Sequence, residues 1–154
     1  MISQTAEYAL RAVVFLSSCE AAQTTAQLAQ AIGAPAGYLA KVMQCLNRAG
    51  IVTSQRGLHG GMSLARAPGE ISVLEIVRAV DVVRRITDCP LGKLAHASGL
   101  CPLHQHMDSV LAEAERAFEH TTISGLLENP QANRFCRFPC LADIPPPTIS
   151  PAAT

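Results

Sequence analysis

The chain has 154 residues, 49% of them hydrophobic, and a formal net charge of +0. That composition can bury one real core, which excludes a disordered chain, and no run approaches the roughly 18 apolar residues of a membrane-spanning helix. Six cysteines would suit the disulfide framework of a secreted chain, but Glu7 and Arg11 stand where an export signal needs its apolar core; the sequence predicts a cytoplasmic protein whose cysteines are ligands, redox thiols or small core residues.

Ala6, Ala9, Leu10, Val13 and Val14 follow helical spacing and predict a first amphipathic helix over 3–19. Thr24 or Thr25 then caps a short second helix, TAQLAQAIG, which Gly33 ends. Pro35 is tolerated in a first turn and opens a third, PAGYLAKVMQCLNRAG, whose Leu39, Val42, Met43 and Leu46 form its buried stripe. IVTSQ and GMSLAR alternate like strands, and the glycine-rich RGLHGG between them reads as the tip of a hairpin. Ser72 with Glu75 is a capping box that starts a fourth helix, VLEIVRAV. An irregular stretch follows, DCPLGKLAHASGLCPLH. From Pro102 to about His120 a long helix is expected, with Leu103, Met107, Val110, Leu111, Ala114 and Phe118 as a narrow apolar seam that needs a partner. Beyond Asn129 lie six of the ten prolines, and a largely unstructured tail is expected there.

The expected fold is therefore mainly α with a small β-hairpin wing: a winged helix-turn-helix plus a long dimerisation helix. It divides into a DNA-binding domain over 1–84, a loop over 85–104, the dimerisation helix over 105–128 and the tail over 129–154. Its charges are unevenly placed. No acidic residue occurs from Ala21 to Gly69, where Lys41, Arg48, Arg56 and Arg66 fall, whereas 108–128 carries five acids against Arg116. One half can face phosphates and the other cannot. In such a fold the third helix lies in the major groove, and a wing arginine suits the narrow, electronegative minor groove.

AEYALRAVVFL, YLAKVMQCLNRAGIVTSQRGLHGGMSLAR and ISVLEIVRAVD closely resemble the IscR/NsrR-type family of winged-helix transcription regulators, over residues 1 to 128. The resemblance implies a homodimer on double-stranded DNA at a palindromic operator, with an iron-sulfur cluster sensing nitric oxide, redox state or cluster supply. By position it implies DNA contacts at Tyr38, Lys41 and Arg56, with Ser54 and Gln55 as phosphate contacts beside the wing. The family's usual cluster arrangement is three cysteines with five residues between each and the next. Cys89 and Cys101 match the first and third, but Ala95 stands at the second. His104 matches a histidine that is a ligand in some members. Glu7 matches a first-helix carboxylate supplied by the partner subunit in others.

Local chemistry bears on these residues directly. With Pro102 first in the long helix, Cys101 becomes its N-cap, where free amides and the helix dipole favour a thiolate, and His104 follows one turn inside on the same side. Two thiolates, an imidazole and a carboxylate suit a two-iron cluster of mixed ligation better than a four-iron one; the same set suits zinc. Glu7 also stands four residues before Arg11 and has the spacing of a helix-surface ion pair. His96, in the loop, is the other candidate for the fourth ligand. Cys19 and Cys45 read as small core or surface residues. Cys136 and Cys140 have a chelating spacing within the tail. Alternatives of a regulator that senses by thiol oxidation, and of a zinc-stabilised interaction module, stay open. An enzyme is not expected, since nothing supplies the orienting group that a Cys101–His104 pair would need.

Overall fold

The structure, a computed structural model, describes residues 2–57, 60–89 and 99–128. Helix α1 (Gln4–Ser17) begins where the Ser3 hydroxyl accepts from the Ala6 amide at 3.2 Å, and buries Ala6, Ala9, Ala12, Val13, Phe15 and Leu16. Three alanines on that face let neighbouring helices approach closely. Helix α2 (Thr25–Ile32) starts with a capping box between Thr24 and Gln27 and stops at Gly33, whose φ of 68° lies in the left-handed region that favours glycine. Helix α3 (Ala36–Arg48) follows directly, with Pro35 as its N-cap, and buries Leu39, Val42, Met43 and Leu46. The tight turn between α2 and α3 is the helix-turn-helix.

Strands β1 (Val52–Gln55) and β2 (Gly61–Leu64) pair antiparallel, with Val52 opposite Leu64 and Gln55 opposite Gly61. The sequence did not announce that Gln23, between α1 and α2, adds an isolated bridge to the far edge of this wing. Its amide donates to the Met62 carbonyl at 2.9 Å, and the Met62 amide donates back at 2.7 Å. A Cβ on Gly61 would lie 2.8 Å from the Gln23 backbone, so Gly61→Ala should lower stability by about 1–3 kcal/mol through a clash that backbone must absorb. Urea unfolding that leaves the midpoint in place would show that the wing is not held this way.

Helix α4 (Val73–Val80) begins with the Ser72–Glu75 capping box and is braced by Arg66, which donates to Glu75 at 3.0 Å. Helix α5 (Pro102–His120) has Cys101 as N-cap and Pro102 in its first turn. Its bounds are those expected for the long helix, Pro102 to about His120; the dimerisation unit assigned to 105–128 runs on past that end. The backbone leaves the helix at Thr121, where the Val73 amide donates to the Thr121 carbonyl at 2.9 Å and the Ile123 amide to the Ile71 carbonyl at 3.0 Å. These bonds form a bridge between Ser72 and Thr122, after which Thr122 caps a short helix α6 (Ile123–Leu127). Five residues would not hold a helix alone. Ile123 is fully buried, and that burial contributes about 2 kcal/mol.

The core lies where α1, α2 and α3 meet the base of the wing, with Phe15, Leu28, Leu39, Met43, Leu46, Ile51, Ile71 and Ile76 essentially inaccessible. Helix α5 stands apart from it: none of its nineteen residues is buried. The seam expected along α5 is one stripe whose two ends meet different surroundings. Phe118 packs against the Ala6, Val73 and Val77 cluster of its own chain, whereas Leu103, Met107 and Val110 are 64%, 46% and 51% exposed. The expected tail, with Cys136 and Cys140, lies outside the described residues, as do Ala95 and His96.

Candidate metal centre and nucleic-acid interface

Three side chains converge at the N-terminus of α5. His104 Nδ1 lies 3.1 Å from Cys101 Sγ and 3.6 Å from Cys89 Sγ, and the three donor atoms all fall within 4.8 Å of one another. All three residues are partly accessible. Cys101 and His104 come together because they are three residues apart on one helix face; Cys89 arrives from the segment that follows α4. The Cys101 thiol makes no full capping hydrogen bond. Even so, the His104 backbone amide, then the His104 ring and the Cys89 thiol, bring it from 9.0 down to about 7. At neutral pH it is therefore in part the thiolate, the form that binds metals.

The donor set fits a metal centre. Two sulfurs and an imidazole nitrogen are borderline-soft ligands suited to zinc or to iron-sulfur chemistry. With sulfur at about 2.3 Å and nitrogen at about 2.0 Å from one tetrahedral ion, the two would lie about 3.5 Å apart, close to the separations seen here. Such a centre has four corners, and among the described residues three donors are grouped.

Glu7 is not in that group within its own chain. It lies exposed on α1 and pairs with Arg11, which also donates to the Ile32 carbonyl at 3.4 Å, at the end of α2. Its exposure leaves it accessible to a second copy. Cys45 is half-buried on α3, while Cys19, placed on a helix by its sequence pattern, follows the end of α1 and packs against the core.

Lys41 stands exposed on the outer face of α3, and Ser54, Gln55 and Arg56 stand exposed along the wing. Gln44 and Arg48, three and seven positions after Lys41, share its exposed face. Sequence reasoning did not single them out as contacts, although helical spacing from Lys41 finds them. Tyr38 is different. It is 42% exposed, but its hydroxyl is hydrogen-bonded to Thr5 and its ring stands edge-on to Tyr8, with centroids 6.0 Å apart. It therefore ties the start of α3 to α1 as well as reaching solvent.

A second set of contacts links the two halves of the chain. Arg85 bonds Asp108 of α5 through Nε at 2.7 Å and through a terminal nitrogen at 2.5 Å, and Glu115 of α5 accepts from Arg78 of α4 at 2.7 Å. An apolar groove of about 500 Å³ runs beside them, lined by Val82, Val83, Val110, Leu111, Ala114 and Phe118. Among the described residues no helix is long and apolar enough to cross a membrane.

A family model described as Rrf2, iron-dependent transcriptional regulator, matches residues 2–129. A Mycobacterium tuberculosis relative, described as an inferred HTH-type transcriptional regulator, is 32% identical over 126 residues, covering 80% of this chain and 78% of its own. The solved structure of IscR from T. potens matches with a TM-score of 0.68 at 23% identity, over 82% of this chain and 85% of that one. That of CymR, the global cysteine regulator of B. subtilis, matches with a TM-score of 0.68 at 22% identity, over 82% and 95%. At these identities the two structures carry the winged-helix fold and not the ligand.

Proposed function

The chain belongs to the Rrf2 family of transcriptional regulators, and on that premise we propose that it is a homodimer whose affinity for a palindromic operator is set by a centre at Cys89, Cys101 and His104. The observation that carries this reading is the convergence of those three donors within 4.8 Å at the base of α5. The division of labour is a winged helix-turn-helix over 1–84, a sensing segment over 85–104 and pairing through the helix that follows. The centre is a two-iron cluster of mixed ligation, and Glu7 of a second copy supplies the fourth ligand. Such a cluster, when bound, supplies redox chemistry and lability toward oxidants or nitric oxide.

This chain's own residues do the rest. Cys101 and His104 hold one side of the centre from a helix end, and Cys89 closes it from a segment attached to α4. A change at the centre alters how that segment sits against α5, and α5 pairs the two copies, so the spacing of the two recognition helices is the quantity regulated. Lys41 reads the major groove, Arg56 enters the minor groove, and Ser54 and Gln55 meet phosphates. Tyr38 reaches the duplex from the start of α3 while keeping its bond to Thr5. The acid-free stretch from Ala21 to Gly69 supports this assignment of the DNA-facing side.

A second reading has a specific observation in its favour. Sulfur-to-nitrogen separations of 3.1 and 3.6 Å match a single tetrahedral ion, so zinc in place of the cluster is the alternative occupant.

The DNA arm is tested by Lys41→Ala and Arg56→Ala. Each should weaken operator binding about 10-fold or more and make the affinity less steeply dependent on salt, with the dimer intact, because each removes about one counterion-releasing contact per half-site. Parental affinity and salt slope in both variants would remove α3 and the wing as the DNA-facing surface.

A further inference from the structure

One carboxylate on α5 holds two consecutive residues of the segment that carries Cys89. Asp108 accepts the Arg85 guanidinium on both oxygens, at 2.7 and 2.5 Å, and also the Ile86 backbone amide at 2.9 Å. Its side chain is only 18% exposed. An exposed two-partner ion pair contributes little; a carboxylate fixed by three donors, one of them backbone, sets the position of the chain itself. Arg85 is steadied further by Glu115, at 3.8 Å.

The register explains what this anchor does. Asp108 lies four residues after His104 and seven after Cys101, so all three share one face of α5. Seven residues of helix rise about 10.5 Å. The three steps from Ile86 to Cys89 can span at most about 10–11 Å. Fastening Ile86 at the level of Asp108 therefore leaves just enough chain for Cys89 to reach the level of Cys101.

We infer that Asp108 is a positioning residue for the three-donor group: by holding Arg85 and the Ile86 amide it fixes the height at which Cys89 meets Cys101 and His104. This rests on reading that group as the sensing site. Asp108 itself is no ligand. Its loss should weaken the centre without removing a donor, as loss of outer supports does at other metal sites.

The test uses the full chain made metal-free under argon, as parent, Asp108→Ala and the near-isosteric Asp108→Asn, each checked for unchanged helical circular dichroism. Zinc affinity is measured by competition with a chromophoric chelator. Separately, the metal-free protein is equilibrated with reduced and oxidised glutathione, and the Cys89–Cys101 linked peptide is quantified by mass spectrometry. In that reaction the two thiols are oxidised to one disulfide, and oxidised glutathione is reduced to two thiols. Asp108→Ala should lower zinc affinity about 10- to 100-fold and lower the disulfide equilibrium constant about 10-fold, since both need Cys89 beside Cys101; Asp108→Asn, which can still accept from the Ile86 amide, should fall between.

Parental values in both measurements would overturn the inference. So would a fall in zinc affinity with an unchanged disulfide equilibrium, which would report only the lost negative charge. If the parent chain binds no metal, the reading of the site as a metal centre fails. The disulfide ratio between parent and Asp108→Ala then decides positioning alone: a ratio near one overturns it, and a fall of about 10-fold supports it. Should Asp108→Ala lose its helical signal, the Asp108→Asn arm carries the same two measurements.

Discussion

Val110→Asp should sediment as a monomer at concentrations where the parent chain is a dimer, and its operator affinity should collapse with it. Leu103, Met107 and Val110 line one face of α5 and are 64%, 46% and 51% exposed in the single chain, and the neighbouring groove of about 500 Å³ is apolar. Apolar surface of this extent, on a helix with no fully buried residue, suits the pairing face proposed for α5. A buried aspartate there would cost about 3 kcal/mol or more, which raises a dimer dissociation constant by about 100-fold. Phe118→Ala should behave differently. Phe118 packs against Ala6, Val73 and Val77, so its truncation should lower thermal stability first, by creating a cavity within one chain. An unchanged dimer in Val110→Asp would show that this face serves something other than a second copy.

The second large effect concerns the three-donor group. Cys89→Ala and Cys101→Ala should each abolish metal-dependent colour in anaerobically prepared protein, because each removes a thiolate from a set that has only two. His104→Ala should leave a weaker or shifted spectrum, since a solvent ligand can replace an imidazole more readily than a thiolate. Glu7→Gln should do the same if a second copy supplies that carboxylate. Colour that survives Glu7→Gln unshifted but vanishes in His96→Ala would move the fourth ligand into the loop.

Much of this arrangement was legible before any coordinates. The Ser72–Glu75 capping box is local chemistry, read from residue types at fixed spacing, and formed where expected; of Thr24 and Thr25 as caps of the second helix, the structure uses Thr24, in a capping box with Gln27. Cys101 as N-cap followed from Pro102, which can stand in a first turn and seldom further in. The proximity of Cys101 and His104 followed from the helical repeat alone. What was not legible depends on long-range pairing. The helix end near His120 was expected, but the backbone bonds that tie the residues after it to Ile71 and Val73, some fifty residues earlier, have no local signal. The split of the α5 seam is likewise tertiary: periodicity says which residues share a stripe, not which neighbour the stripe meets. Asp108 was counted only as one acid in an acidic stretch, because its role depends on Arg85, twenty-three residues away. Tyr38 was assigned by its position in the family resemblance, and its bond to Thr5 depends on how α1 packs against α3.

Cys89, Cys101 and His104 are proposed to hold an iron-sulfur centre that sets operator affinity. The most direct test is anaerobic purification of the parent chain and Cys101→Ala, with iron, sulfide and zinc counted and the visible spectrum recorded on the same samples. The parent should be coloured, with about two irons and two sulfides per chain, and Cys101→Ala should be colourless and free of both. A colourless parent carrying stoichiometric zinc, or no metal at all, would show that these residues do not hold an iron-sulfur centre.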